Sequence, residues 1–300
     1  MAQALVGLAG ANGDLGFRIA KALVGRGAGV RALLRPAASQ SDRAKLTAIG
    51  VEPVEADPLN GSAMADACRG AECVVSALNG LREVIIDRQT VLLNAAVAAG
   101  VSRFISSDYC LDYTGTEPGK NRNLDLRREF MALADKAPIR VTAIFNGAFM
   151  DMMGGEMPIV QPRIHRVLFW GRSEQKLDFT TKDDVAAFTA AAALDAEAPR
   201  ILRIAGDSQS PTDIAKTLSD LTGENYRTLR AGGMGALETM IRIGKLFAKP
   251  DAVFPPYQGM QYMRDMMSGR GQLATLDNTR YSGLTWRTLR EHLASLGLRS

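Results

Sequence analysis

The chain has 300 residues, longer than the usual single domain but compatible with one large α/β unit carrying a smaller appended part. Apolar residues at 46% and charged residues at 23% exclude a disordered or fibrous chain, and no run approaches the roughly 18 apolar residues of a membrane span. Thirty-six Lys and Arg against 32 Asp and Glu leave a formal charge of +4 that is scattered along the chain, which suits a small anionic ligand and makes no nucleic-acid footprint.

A strand is predicted at 4–9 (ALVGLA) and a helix over 15–25, where Leu15, Ile19, Ala22 and Leu23 recur at helical spacing. Strands follow at 29–34 (GVRALL), 51–55 and 72–77 (ECVVSA), the last two separated by a helix near 61–68. A helix over 83–99 places Val84, Val91, Leu92 and Ala95 on one face and stops at Gly100, a suitable C-cap. A strand at 102–106 (SRFIS), a helix over 122–136 and a strand at 140–145 (RVTAIF) complete the alternation. Such alternation implies a doubly wound parallel sheet with right-handed crossovers.

Beyond Asn146 the pattern changes. The sequence predicts a hairpin over 165–180 (HRVLFWG, then QKLDFTT), a helix with cap candidates at Thr181 to Asp184 running to about 194, a seventh strand at 200–205 (RILRIA) and a helix after Pro211. From about 225 the chain is rich in Met and Gly and reads as mostly helical, ending in a helix at about 285–296. With no repeat or long linker, the expected division is a dinucleotide-binding core over 1–150 and a substrate or lid region over 151–300, of which 182–222 returns to the core.

Cys68, Cys73 and Cys110 form no C-x-x-C pair, and His165 and His292 are too few for a metal site, so a reduced, metal-free protein is expected. The apolar run Ala4 to Ala9 leads straight into glycines as a first strand does, with no basic segment or cleavage site of a secretion signal, and the expected location is cytoplasmic.

Directly after the first strand the sequence reads G-A-N-G-D-L-G, with Gly10, Gly13 and Gly16 three residues apart where a helix begins. Glycine there lets the backbone approach a pyrophosphate, whose charge meets the free N–H groups and positive end of the helix. Asn12, Asp14 and Leu15 supply the remaining turn contacts. The bland reading is a plain strand-to-helix turn; the strand before and the amphipathic helix after favour a dinucleotide.

An acid at the end of the second strand would bond a ribose 2′-hydroxyl, whereas an arginine accommodates a 2′-phosphate. That position is Arg35, nineteen residues beyond Gly16, and the first nearby acid is Asp42, so NADP(H) is expected over NAD(H). The alternative is a solvated loop arginine. Asp57 after the third strand, and Ala77, Leu78 and Asn79 after the fourth, lie at carboxyl ends of strands, where open α/β sheets bind ligands. Asp57 could equally cap the helix that follows Asn60.

Together G-A-N-G-D-L-G at 10–16, Arg35, A-D-P-L at 56–59, A-A-V-A-A-G-V-S-R-F-I-S-S-D-Y at 95–109 and N-G-A-F at 146–149 resemble the NmrA-like and isoflavone-reductase-like branch of atypical short-chain dehydrogenases. The likeness covers about the first 210 residues well and the rest loosely. It implies a Rossmann domain with a smaller substrate-binding part and NADP(H) as cofactor; some members reduce aromatic or phenylpropanoid-type compounds, and others bind the nucleotide as regulators. The resemblance places Ser106 and Ser107 beside the nicotinamide, and Asn146, Gly147 and Phe149 at the border of nicotinamide and substrate.

The chain departs from that family where its reductases carry a lysine in the helix before the sixth strand: N-R-N-L-D-L-R-R-E-F offers Arg127 or Arg128. Arginine can stabilise an oxyanion but is a poor proton donor. The Y-x-x-x-K pair of short-chain dehydrogenases is also missing, since Tyr109 is followed four residues later by Tyr113 and Tyr113 by Glu117. The candidate chemistry is a proton from Tyr109, with Ser107 and Arg127 steadying the oxyanion. Set against this, the tyrosines could be packing and the arginines a solvated helical face. Lys120 reads as a surface lysine, and His165 falls where a substrate lid could be.

Phe145, Phe149, Met150, Met152, Met153, Phe169 and Trp170 could line an apolar pocket or form ordinary core or dimer contacts; Met260, Tyr262, Met263, Met266 and Met267 read as helix packing. Three functions compete: an NADPH-dependent reductase of a small carbonyl or alkene substrate, aromatic ones included; a non-catalytic NADP(H) sensor with a protein partner; and a sugar-nucleotide epimerase, disfavoured by the missing tyrosine and lysine pair. No nucleic-acid or membrane partner is expected, and a homodimer is left open.

Overall fold

Unbroken apolar runs such as Leu5–Ala9 and Cys73–Val75 have no polar face to give to water, so they demand cover on both sides. The computed structural model, which describes residues 3–154, 157, 159–249 and 251–297, provides it. In chain order the first half contains β1 (Leu5–Ala9), α1 (Asp14–Gly25), β2 (Gly29–Leu34), α2 (Gln40–Ala48), β3 (Glu52–Glu55), α3 (Gly61–Cys68) and β4 (Cys73–Ser76). A π-helical turn at Glu83–Arg88 then leads into α4 (Gln89–Ala98), followed by β5 (Arg103–Ile105), α5 (Arg122–Ala134) and β6 (Arg140–Phe145). The single helix expected over 83–99 is therefore wound in two ways. Helix α2 was not anticipated because it is polar throughout and buries only Leu46; Ser39 caps it by accepting the N–H of Asp42 at 3.1 Å.

The second half contains β7 (Ala148–Phe149), β8 (Val160–Gln161), β9 (Arg166–Trp170), β10 (Leu177–Thr180), α6 (Lys182–Leu194), β11 (Ile201–Arg203), β12 (Asp207–Gln209), α7 (Pro211–Thr222), β13 (Arg227–Gly232), α8 (Met234–Leu246), α9 (Pro256–Met267) and α10 (Leu289–Ser295). Seven strands form one parallel sheet in the order β11-β6-β5-β4-β1-β2-β3. Two three-stranded sheets, β12-β10-β7 and β13-β9-β8, make the smaller part.

The expected hairpin over 165–180 does not form. β9 pairs in parallel with β13 and antiparallel with β8, whereas β10 pairs with β12 and β7, so the two strands enter different sheets. Alternating apolar residues identify a strand but not its partner, and each segment buries more in a sheet centre than it would in an isolated pair. The helix after Pro211, expected on the core, packs on β9 and β13. The stretch from 225, expected to be mostly helical, opens with the strand β13.

One face of the seven-stranded sheet is covered by α1 and α6, with Ile19, Leu23 and Phe188 against Leu8, Val30 and Ile105. The other is covered by α3, α4 and α5, with Met64, Leu92 and Phe130 against Val74 and Phe104. Each such side chain contributes about 1.5–3 kcal/mol on burial. A buried arginine fastens one layer: Arg103 of β5 donates to the carbonyls of Ala192 at 2.8 Å, Ala193 and Asp195, closing the C-terminal end of α6. Among the described residues no helix is long and apolar enough to cross a membrane.

Candidate functional site

The glycine turn joins β1 to α1 at the carboxyl edge of the sheet. Gly10 has φ +82°, and a Cβ on it would stand 2.5 Å from the carbonyl oxygen of Ala77, so this loop and the one after β4 are in backbone contact. Gly13 accepts the N–H of Phe17 at 2.8 Å as the N-cap of α1, and having no side chain it leaves the first-turn N–H groups uncapped. Asn12 beside it is exposed and Leu15 half-buried. Asp14 is already engaged: it accepts from Arg18 at 2.7 Å and from Lys182 of α6 at 2.8 Å. Those hydrogen bonds, Lys182 first, hold its carboxyl below the usual carboxylate range.

Arg35 follows β2 directly and is exposed; its carbonyl accepts the N–H of Ala38 at 2.9 Å, and its guanidinium meets no hydrogen-bond or ion-pair partner among the described residues. Other arginines in this part of the chain are paired: Arg31 of β2 with Glu52 at 3.1 Å and Arg43 of α2 with Glu55 at 2.7 Å. Asp57 turns back on its own loop, accepting the N–H of Leu59 at 3.0 Å. The alternative that Asp57 caps α3 is corrected, because Asn60 does so, accepting from Ser62 and Ala63 at 3.1 Å each.

After β4, Ala77 and Leu78 are half-buried and Asn79 is exposed. The Ser107 hydroxyl donates to the carbonyl of Leu78 and its N–H donates to Gln89 Oε1 at 3.1 Å, while Ser76 donates to the same Oε1 at 2.6 Å. Gln89 thus ties the loop after β4 to that after β5. Ser106 is buried and donates to Asp108 Oδ2. Neither serine offers a free hydroxyl proton here.

Asp108 is a buried carboxyl that sequence reasoning missed although it stands between two residues it named. It accepts from Ser106 and, at 2.7 Å, from the Tyr113 hydroxyl. Burial pushes its pKa up against those donors and the nearby Arg127 charge. Burial and the adjacent Asp108 likewise raise the Tyr113 phenol. Tyr109 packs in the apolar cluster under α1 and α6; its hydroxyl has no hydrogen-bond partner, and burial raises its pKa too.

Arg127 is expected to steady an oxyanion, with a solvated helical face as the alternative for it and Arg128; neither side chain lies on a solvated face, and the two differ in their partners. Arg128 donates to Asp125 at 2.7 Å and to the Tyr113 carbonyl at 2.7 Å, tying α5 to the 113–116 turn. Arg127 is buried, donates only to the Asn123 carbonyl at 3.2 Å, and leaves its Nε–H unsatisfied. Tyr262, Cys110, Asp108 and Tyr113 surround it. Lys120 is exposed; its carbonyl, not its amine, is used, by Gln261 and Arg264.

Asn146 is fully buried. Its N–H donates to Cys110 O at 2.9 Å and its carbonyl accepts from Thr180 at 2.7 Å, yet its side-chain Oδ1 has no partner. The following Gly147 (φ +68°) presses against the Asp178 carbonyl where a Cβ would collide. Phe149 remains half-buried next to β10. Of the aromatic and Met residues that could line a pocket, Phe145, Met150, Met153, Phe169 and Trp170 pack into one core cluster with Met263, Met266 and Met267, leaving Phe149 and Met152 half-buried. His165 sits at the α7–β13 turn, 3.7 Å from Glu224 with its ring 5.1 Å from that of Tyr226. His292, given no role by its sequence, is buried beside Met150 and Asp151 with both ring nitrogens unpartnered.

Known structures share this architecture. AtPrR2 with NADP+ and (+)pinoresinol superposes with a TM-score of 0.84 at 20% identity, covering 98% of this chain and 99% of that one. The leucoanthocyanidin reductase–NADPH complex from Vitis vinifera gives 0.80 at 18%, covering 98% and 99%, and an NADPH-dependent quinone oxidoreductase from Escherichia coli gives 0.76 at 20%, covering 97% and 99%. At these identities the likeness shows the fold. No curated protein matches the sequence. The model of the NmrA-like family matches residues 3–271, and the chain belongs to that family.

Proposed function

We propose that this protein is an NADPH-dependent reductase of a small carbonyl or alkene compound, aromatic substrates included. The observation that carries the reading is the unpartnered, exposed Arg35 guanidinium just after β2, the strand paired with the one that leads into an uncapped glycine turn. A guanidinium fork and a row of free N–H groups match a 2′-phosphate and a pyrophosphate. Similar folds support it: AtPrR2 solved with NADP+ and (+)pinoresinol, a leucoanthocyanidin reductase with NADPH and a quinone oxidoreductase with NADPH.

When bound, the cofactor supplies the hydride. The chain's own part is to hold and to compensate charge. Gly10, Asn12, Gly13, Leu15 and Gly16 receive the pyrophosphate, Arg35 the 2′-phosphate, and Asp57, Ala77, Leu78 and Asn79 border the adenosine side. Ser106, Asn146 and Phe149 flank the nicotinamide, where the unsatisfied Asn146 Oδ1 is an acceptor suited to an amide N–H. Asp14, clasped by Arg18 and Lys182, acts by fixing the start of α1. Arg127 steadies negative charge on the substrate oxygen, and Ser107 holds the loop that faces it. Tyr109 keeps its proton at working pH, and donation of it to a substrate oxygen requires the hydroxyl to leave the apolar cluster under α1 and α6.

A specific observation favours a second reading, an NADP(H) sensor without turnover: the hydroxyls at the site are either engaged, as in Ser106, Ser107 and Tyr113, or buried without an activator, as in Tyr109. A screen of quinones, enones and aromatic aldehydes at 340 nm separates the two. Steady NADPH oxidation with any defined compound supports the reductase; no turnover together with a protein partner captured in only one cofactor redox state supports the sensor.

A further inference from the structure

Two helices pack against one another on the same face of the seven-stranded sheet, α1 beginning at Asp14 beside the glycine turn and α6 beginning at Lys182. Their first turns share four charges. Asp14 Oδ2 accepts from Lys182 Nζ at 2.8 Å and its Oδ1 from Arg18 Nε at 2.7 Å, while Arg18 also donates to Asp183. The Asp14 and Lys182 side chains both stay partly exposed, so neither is sealed beneath the pair.

The turn itself is short of positive charge. Residues 10–16 contain no Lys or Arg, and their one charged side chain is the Asp14 carboxylate. Hydrogen bonds from Lys182 and Arg18 hold that carboxyl below the usual carboxylate range, so it is ionised at neutral pH. An ionised carboxylate on the first residue of α1 stands beside the free N–H groups that a phosphate would use, and like charges there repel. A cation must offset it. Arg18 is divided between two carboxylates, whereas Lys182 makes no second ion pair among the described residues. The Lys182 backbone N–H donates to Asp151 Oδ2 at 2.9 Å, which fixes the residue at the start of α6 and leaves its flexible four-carbon stem able to turn.

We propose that Lys182 is a pyrophosphate-binding residue contributed by α6: its ammonium cancels the Asp14 charge in the free protein and serves the phosphates in the complex, where Arg18 keeps Asp14 neutral. The inference rests on the dinucleotide reading of the glycine turn and adds to that site a cation from the second half of the chain. An ammonium with three donors suits such an exchange, because it reorients without moving its helix. NADPH and NADH share the pyrophosphate, so Lys182 acts on both alike, whereas Arg35 acts on NADPH alone.

The test is equilibrium titration of the full chain with NADPH and with NADH in wild type, Lys182→Met, Lys182→Arg and Asp14→Asn, with a melting curve for each to confirm folding. Asp14→Asn keeps an oxygen that accepts from both cations and removes only the charge. The expected result is that Lys182→Met weakens both nucleotides by about three- to tenfold with their ratio unchanged, Lys182→Arg stays within about twofold of the wild type, and Asp14→Asn tightens both by at least about twofold. The opposite signs carry the test, since a purely structural tie between Asp14 and Lys182 is broken in either variant and both would then weaken binding. Weakened or unchanged binding in Asp14→Asn, unchanged binding in Lys182→Met, or a loss confined to NADPH overturns the proposal while the dinucleotide reading stands. A wild type that binds neither nucleotide overturns that reading and the proposal with it.

Discussion

Gly16 and Gly10 meet across the turn between β1 and α1: a side-chain carbon on Gly16 would run into the Gly10 carbonyl oxygen, backbone against backbone. No flexible side chain can give way there. Gly16→Ala is therefore expected to destabilise the protein by about 2–3 kcal/mol and to weaken NADPH binding, read by denaturant titration and by nucleotide titration. Gly25→Ala, in the same helix with open space around it, is expected instead to gain about 0.5–1 kcal/mol. Equal effects at the two positions would contradict the steric account.

Arg103 ties β5 to the end of α6 through three carbonyl groups. Arg103→Met removes these bonds and leaves buried acceptors unpaired, at a cost of about 2–4 kcal/mol. Urea denaturation should show a lower midpoint at unchanged slope.

His292 makes stability pH-dependent. Burial pulls its imidazole pKa below the ordinary value, against the pull of nearby Asp151, so the unfolded chain takes up the proton first as pH falls. Its contribution is present above about pH 6.5, the unfolded value, and is lost as pH drops from there through the folded pKa. Melting temperatures measured between neutral and mildly acidic pH should fall less steeply in His292→Leu than in wild type. Parallel profiles would show that His292 does not titrate with unfolding.

Arg127→Met tests the assigned oxyanion role. The guanidinium makes no ion pair but lies near the buried Asp108, so the variant is expected to lose some stability, read from its melting curve, while NADPH affinity stays within about twofold. With a substrate in hand, kcat is expected to drop by roughly 10²–10³. A rise in KM with kcat unchanged would show that Arg127 only binds the substrate and would move the oxyanion role elsewhere.

What the sequence revealed and what it hid follow from the range of the forces involved. The strand, glycine turn and helix at 5–25 are legible because glycine sterics and apolar periodicity act within a few residues. The strands of the parallel sheet are legible for the same reason. Polar α2 hides because its stability rests on a cap and one buried leucine, and the mispaired segments 166–170 and 177–180 because strand partners are chosen at long range. Of the proposed site residues, Asn146 and Ser107 could be named from the motif and Arg127 from the departure from it, but their partners could not. Gln89 lies in an unremarkable helical run and Lys182 is 168 residues from Asp14. Nor does the sequence say that Tyr109 faces the core, since both sides of a parallel sheet are apolar.

The central claim is that Arg35 reads a 2′-phosphate, and equilibrium binding of NADPH and NADH to wild type and Arg35→Ala tests it most directly. The account predicts a strong preference for NADPH in the wild type that disappears in the variant, with NADH binding little changed. Equal affinity for the two nucleotides in the wild type, or a preference that survives in Arg35→Ala, would contradict it.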